Sequence, residues 1–201
     1  YKFTKKIRKN NIILKKYYNS KIKTPDLKNK FIYFPSSYQP ESRTKTTCGI
    51  FDDQINALNL IRKYLPDDYY IYFKEHKSIF FESETAKGSL ARSKEYYDKL
   101  LNIKNLIFVN EEYDTFKLIK NCQAVATVGG TAGFEAAVYE KPSIIFGDPW
   151  YNICRCFLKV KTDLDCKLSI AKILENYKPN YNELVEDMYV LLKNSYDIDI
   201  R

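Results

Sequence analysis

From residue 31 onward, short apolar runs alternate with stretches whose apolar residues recur every three or four positions. Phe31-Ile32-Tyr33-Phe34, closed by Pro35, has the continuous apolar character of a strand buried on both faces. Tyr69 to Phe73, Leu106 to Val109, Ala124 to Val128 and Ser143 to Phe146 repeat that character. Asp52 is placed to cap a helix carrying Ile55, Leu58, Ile61 and Leu65, which Pro66 stops. Residues 91–101 read as a second helix, and Asp114 is placed to cap a short third one through Ile119. Gly129-Gly130 turns the chain into a helix from Thr131 to Tyr139, ended at Lys141-Pro142. Two more helices are predicted at 167–176 and 181–194, with Leu184, Met188, Leu191 and Leu192 near one face of the last. Residues 77–90 are polar and read as a loop.

Strands alternating with amphipathic helices predict right-handed crossovers and a parallel sheet covered on both faces. The expected fold is α/β, a Rossmann-like three-layer domain over residues 31–201. In such sheets ligands bind beyond the carboxyl ends of the strands, so the segments that follow the strands are where chemistry is sought.

Charge changes the picture only at the front of the chain. The net charge is +8. Residues 1–30 carry eleven Lys or Arg against Asp26 alone, a net of +10, which leaves −2 for residues 31–201. The body is close to neutral, and a nucleic-acid partner is not expected. The segment 1–30 reads as a solvated basic linker or helical arm, with Ile7, Ile12, Ile13, Leu14 and Tyr17 on one helical face. A basic arm of this kind can also touch an anionic lipid surface. The chain begins at Tyr1 without a methionine, and a domain upstream is expected. The five cysteines are odd in number and form no CxxC pair, which argues against a disulfide framework or zinc site and for a reducing, cytoplasmic setting. No run of 18 apolar residues is present.

Four segments after strands carry candidate chemistry. Gly130-Thr131-Ala132-Gly133, followed by Glu135, joins a strand to a helix start, where unpaired amides and the helix dipole favour an anion. Glu135 is placed to accept bonds from sugar or ribose hydroxyls, or else simply faces water. The segment contains neither GxGxxG nor GxxxxGK[ST]. His76, the single histidine, follows Lys74 at a strand end; strand alternation puts both on one face, a pairing that suits a phosphate. Pro35 to Ser42 contains Gln39 and Glu41, the latter a carboxylate for acid–base or nucleophilic work on a sugar, or else one turned to solvent. Trp150, the only tryptophan, follows the last strand and either stacks on a ligand or closes the core. No Asp-x-Asp motif sits at these strand ends, and no metal is expected.

Taken in order, Tyr-Gln-Pro-Glu at 38–41, Phe-Asp-Asp-Gln at 51–54, Lys-Glu-His at 74–76, Gly-Thr-Ala-Gly-Phe-Glu at 130–135 and Lys-Pro-Ser-Ile-Ile-Phe-Gly at 141–147 resemble the capsule polysaccharide synthesis family. That family includes retaining Kdo transferases. The resemblance implies a GT-B architecture of two Rossmann-like domains, with this chain as the C-terminal, donor-binding half. It implies a nucleotide-sugar donor such as CMP-Kdo and no further cofactor. It also implies a glycan or glycolipid acceptor held largely by the other half, and an enzyme working at or near the inner membrane. By the same resemblance His76 contacts the donor phosphate, Gln39, Lys74 and the 130–135 turn line the donor site, and Glu41 is the catalytic carboxylate. The family's Lys-x-His-Pro has Lys77 here in place of proline. A non-catalytic nucleotide- or glycan-binding module and a sugar-nucleotide epimerase are the alternatives.

Overall fold

The structure, a computed structural model, describes residues 2–40, 48–82 and 87–195. Glu41 lies outside the described residues.

Five of the six strands are those expected: β1 (Lys30–Pro35), β2 (Tyr69–Lys74), β3 (Leu106–Val109), β4 (Ala124–Thr127) and β5 (Ser143–Ile145). A sixth, β6 (Leu158–Lys159), has two residues, too few for any periodicity to reveal. The sheet is parallel throughout, in the order β3-β2-β1-β4-β5-β6. Parallel strands covered on both faces have apolar residues at nearly every position, and Phe31, Ile32, Tyr33 and Phe34 of β1 are all buried.

The helices are α1 (Lys2–Asn19), α2 (Gln54–Tyr64), α3 (Lys94–Leu101), α4 (Thr115–Asn121), α5 (Ala132–Val138), α6 (Asp163–Leu174) and α7 (Tyr181–Lys193). On one face of the sheet, Ile32, Phe34, Ile71, Phe73 and Phe108 meet Leu58 and Ile61 of α2, Tyr97 and Leu100 of α3, Ile170 and Ile173 of α6, and Tyr18 of α1. On the other, Phe31, Tyr33, Tyr72 and Val125 meet Leu118 and Ile119 of α4 and Ala132 and Ala136 of α5. The crossovers change face after β3, as a doubly wound sheet requires. Leu184 of α7 packs with Ile145 of β5, Tyr151 and Phe157.

The basic arm contains a helix, and that helix is docked on the domain rather than solvated. Its buried face is Ile7, Asn11, Leu14 and Tyr18, spaced four, three and four. Of the residues expected on that face, Ile13 is 42% exposed and Ile12 and Tyr17 are only half-buried. Asn11 is admitted to the buried face because its side chain is satisfied: Nδ2 donates to the Phe81 carbonyl at 2.9 Å, and Oδ1 accepts from the Ser89 amide at 2.9 Å.

Local starts differ by small steps. The α2 cap is Asp53, whose carboxylate accepts from the Ile55 amide, while Asp52 is engaged elsewhere. Asp114 caps α4 as expected. α6 begins a turn before the predicted 167, at a capping box between Thr162 and Asp165. Within the expected loop at 77–90, Lys77–Phe80 and Gly88–Leu90 form single 3-10 turns. Among the described residues no helix is long and apolar enough to cross a membrane.

Candidate donor site at the strand ends

Because every strand runs the same way, the segments after β1, β2, β4 and β5 emerge at one edge. The strand order reverses between β1 and β4, which opens a crevice there in folds of this kind. Loop 36–40 and turn 128–131 flank that point. Residues 48–53 pack across it: the Cys48 thiol lies 3.6 Å from the Val128 carbonyl, and the Phe51 ring meets Phe146 edge-on at 4.9 Å.

After β1, the chain is held by side chains from three other segments. The Gln54 amide group accepts from Ser37 N at 2.9 Å and donates to Ser37 O at 3.1 Å. Gln39 is buried. Its Nε2 donates to the Asp52 carbonyl (2.7 Å) and carboxylate (2.9 Å), and its Oε1 accepts from Arg92 (2.6 Å) and Gln54 (3.1 Å). The full hydrogen-bonding capacity of that amide is used inside the protein, so Gln39 stands as a loop anchor.

After β2, the two residues expected to point together part company. Strand pairing ends at Lys74, so period-two alternation does not reach His76. Lys74 is buried; its ammonium donates to the Tyr113 carbonyl at 2.6 Å and the Thr115 hydroxyl at 2.7 Å, tying β2 to the start of α4. Burial, followed by the nearby Lys77 charge, draws its pKa below the ordinary lysine value. His76 is exposed and caps the 77–80 turn, with Nδ1 accepting from the Ser78 amide at 3.2 Å. That bond puts the proton of the neutral ring on Nε2, the donor form a phosphate oxygen accepts from. The Tyr38 ring lies 5.7 Å from the imidazole.

After β4, the Gly130 amide donates to the Thr127 hydroxyl at 3.0 Å. The Thr131 hydroxyl donates to the Glu135 carboxylate at 2.8 Å, one turn along α5, and makes no capping bond. Glu135 is therefore held by Thr131 rather than simply facing water. Gly133 is a packing requirement. A Cβ there would lie 2.7 Å from both Ile145 Cδ1 and the Tyr151 hydroxyl, and that hydroxyl donates to the Gly130 carbonyl at 2.5 Å. Ala132 is buried against the same face. Trp150 is 50% exposed, its ring 5.2 Å from Phe134 and 5.4 Å from Tyr151; it neither closes the core nor leaves the surface of the site edge.

Behind the loops that follow β1 and β2 lies a pair that no strand-end motif announced with a role. Glu75 and Arg92 are both 0% exposed at their side chains and form an ion pair at 3.0 Å. Glu75 also accepts from the Tyr97 hydroxyl (2.8 Å), the His76 amide (3.0 Å) and the Ser36 hydroxyl. Arg92 also donates to the Ser37 carbonyl at 3.1 Å and stacks over the Tyr96 ring at 4.5 Å. Burial opposes the Arg92 charge, and the Glu75 carboxylate more than offsets it, so the pKa stands above the ordinary arginine value. A signal was present. Glu75 directly follows a strand buried along most of its length, and a carboxylate buried there calls for a cation, preferably the forked guanidinium.

Comparison with proteins of known structure places this fold. It is similar to Thermosulfurimonas dismutans KpsC, beta Kdo 2,7 transferase, at 16% identity and a TM-score of 0.52, over 94% of this chain and 62% of that one. It is similar to the UDP-GlcNAc 2-epimerase of Methanocaldococcus jannaschii at 15% identity and a TM-score of 0.53, over 94% of this chain and 52% of that one. S. aureus MnaA, in a co-structure with UDP, is similar at 11% identity and a TM-score of 0.50, over 87% of this chain and 42% of that one. The chain thus spans less than two thirds of each of these proteins, and the likeness supports the expected Rossmann-like α/β fold of the GT-B class. Comparison with curated proteins gives no match. Residues 14–155, well over half of the chain, match the family described as capsule polysaccharide biosynthesis protein. By that match the chain belongs to the capsule polysaccharide biosynthesis family.

Proposed function

We propose that this chain is the donor-binding part of a glycosyltransferase of surface-polysaccharide assembly, taking a nucleotide-activated sugar of the CMP-Kdo type. The observation that carries the reading is that the candidate segments leave the same edge of the sheet on either side of the β1/β4 switch point. His76 after β2, the Gly129-Gly130 turn with Thr131 and Glu135 after β4, and the anchored loop after β1 emerge at one edge of a parallel sheet. Family membership supports polysaccharide assembly as the setting.

In this reading the Nε2 proton of His76 and the backbone amides of the turn engage the donor phosphate, while the Thr131–Glu135 pair faces its hydroxyls. Lys74 acts at one remove, fixing β2 to α4. Glu41 is the proposed catalytic carboxylate. The acceptor, a glycan or glycolipid, binds largely to a preceding domain. The setting is cytoplasmic, with peripheral contact to the inner membrane through the exposed lysines of α1. A few charge-assisted hydrogen bonds, about 1.5–3 kcal/mol each, suffice for a donor Kd between ~10 µM and ~1 mM.

Calorimetric titration with CMP, UDP and GDP tests the reading and the nature of the donor. Selective CMP binding, unchanged by a chelator, is the expected result. A second reading has its own support. The fold is shared with a UDP-GlcNAc 2-epimerase, and UDP preference with no transfer to any acceptor would favour it.

A further inference from the structure

We propose that Arg92 and Glu75 are the positioning pair of the donor site, fixing where His76 stands relative to the loop after β1. The inference rests on the donor-site reading above. The pair joins three separate pieces of chain. Arg92 comes from the segment before α3, and its guanidinium reaches Ser37 O and Gln39 Oε1 in the β1 loop as well as Glu75. Glu75, the residue before His76, holds the His76 amide and the Ser36 hydroxyl with one oxygen and Arg92 and Tyr97 with the other. The His76 amide is also met by the Ser36 hydroxyl at 2.9 Å. The imidazole and the β1 loop are thus both referred to one buried carboxylate.

The chemistry favours positioning over simple cohesion. A buried ion pair is weak evidence for stability, because the desolvation of two charges offsets their attraction. Its geometric demands are strict, because a planar guanidinium engages several fixed acceptors at once. Here the fork spends its donors on two loops of the candidate site. Lysine at position 92 retains the charge but lacks the fork. It pairs with Glu75 or with the β1 loop, and it leaves the relation between the two loops loose.

His76 is the single histidine of the chain, so one imidazole resonance reports its surroundings without competing signals. The test compares the 201-residue chain with Arg92→Lys, Glu75→Gln and the double variant Arg92→Met/Glu75→Gln. The double variant leaves no lone charge buried and guards against a misfolded single variant. Thr162→Ala, at the α6 cap that follows the edge strand β6, serves as a destabilised control. Nucleotide affinity and the His76 resonance are read in each.

The expected result is a shifted or broadened His76 signal in the Arg92 and Glu75 variants, with thermal unfolding still cooperative. Nucleotide affinity should fall by about tenfold to a hundredfold, as displaced positioning groups cost. That loss should not add to the loss from His76→Ala, because both act at one place. The Thr162 control should change neither readout. Folded variants with an unmoved His76 signal and unchanged affinity would overturn the proposal and leave the pair a purely structural one. If the wild-type chain binds none of the nucleotides, the donor-site reading fails by itself. The His76 signal then still decides whether the pair positions that residue, an unmoved signal overturning it.

Discussion

The hydroxyl of Tyr18, the last buried residue of α1, accepts a hydrogen bond from the amide of Glu75 at 3.1 Å and donates one to the Val109 carbonyl at 2.7 Å. One phenol therefore ties the first helix to the ends of β2 and β3, one residue before His76. Burial pushes the phenol pKa well up from its ordinary value, which favours the protonated, donating form. Tyr18→Phe removes the oxygen and keeps the ring among Phe80, Tyr97 and Phe108. The Glu75 amide and the Val109 carbonyl, and more weakly the Phe73 carbonyl at 3.4 Å, then lose a partner, at a total of about 1–3 kcal/mol. An unfolding free energy lowered by that amount, seen as a lower denaturation midpoint with the slope unchanged, is the expected outcome.

Gly133 lies in the segment first read as an anion-binding turn, and its necessity is steric. Gly133→Ala places a methyl 2.7 Å from Ile145 Cδ1 and from the Tyr151 hydroxyl. Overpacking of this kind costs about 1–3 kcal/mol. The loss should appear in thermal unfolding, and Tyr151→Phe in the same chain should recover part of it by removing one of the two opposing atoms. No recovery would mean that Ile145 alone sets the limit.

The α6 start offers a cleaner measure of local structure. Thr162 accepts from the Asp165 amide, and Asp165 accepts from the Thr162 amide at 2.8 Å. Thr162→Ala removes half of that box and should cost about 1 kcal/mol, read from a denaturation midpoint.

The cysteines give a pH dependence of definite sign. Cys122, Cys156 and Cys166 are buried, and burial pushes their pKa values up to about 12, about 11 and about 12 from 9.0. A folded pKa above the unfolded one stabilises the fold below the unfolded value, and that contribution is lost as pH rises through the interval. By this contribution the chain should lose stability between about pH 9 and pH 12. At pH 8 all five thiols, each of them buried, should react with a thiol reagent only as fast as the protein unfolds; prompt labelling of any one would contradict its burial.

The sheet was legible because strands buried on both faces leave uninterrupted apolar runs, as at Phe31–Phe34 and Tyr69–Phe73. Other features were hidden for physical reasons. β6 is two residues long, below any period. The buried face of α1 includes Asn11, a polar residue that no apolar pattern selects and that is buried only because Phe81 and Ser89 satisfy it. At the site, His76 and the glycine turn stand where strand ends predict. Alternation misled at Lys74, since it holds only while the strand continues. The Glu75–Arg92 pair bridges 17 positions, a tertiary relationship that spacing does not encode.

In the proposed donor site, the strand-end edge around His76 holds the phosphate of a nucleotide donor. The most direct test is calorimetric titration of the nucleotide that binds the wild-type chain into His76→Ala and, as a control, Lys104→Ala. Lys104 precedes β3 at the opposite edge of the sheet, where it pairs with Asp67 at 2.8 Å on the surface. His76→Ala should weaken binding by about tenfold or more, the worth of one charge-assisted hydrogen bond, with unfolding still cooperative, and Lys104→Ala should leave binding unchanged. Equal affinity in the wild-type chain and His76→Ala would contradict that placement of the phosphate.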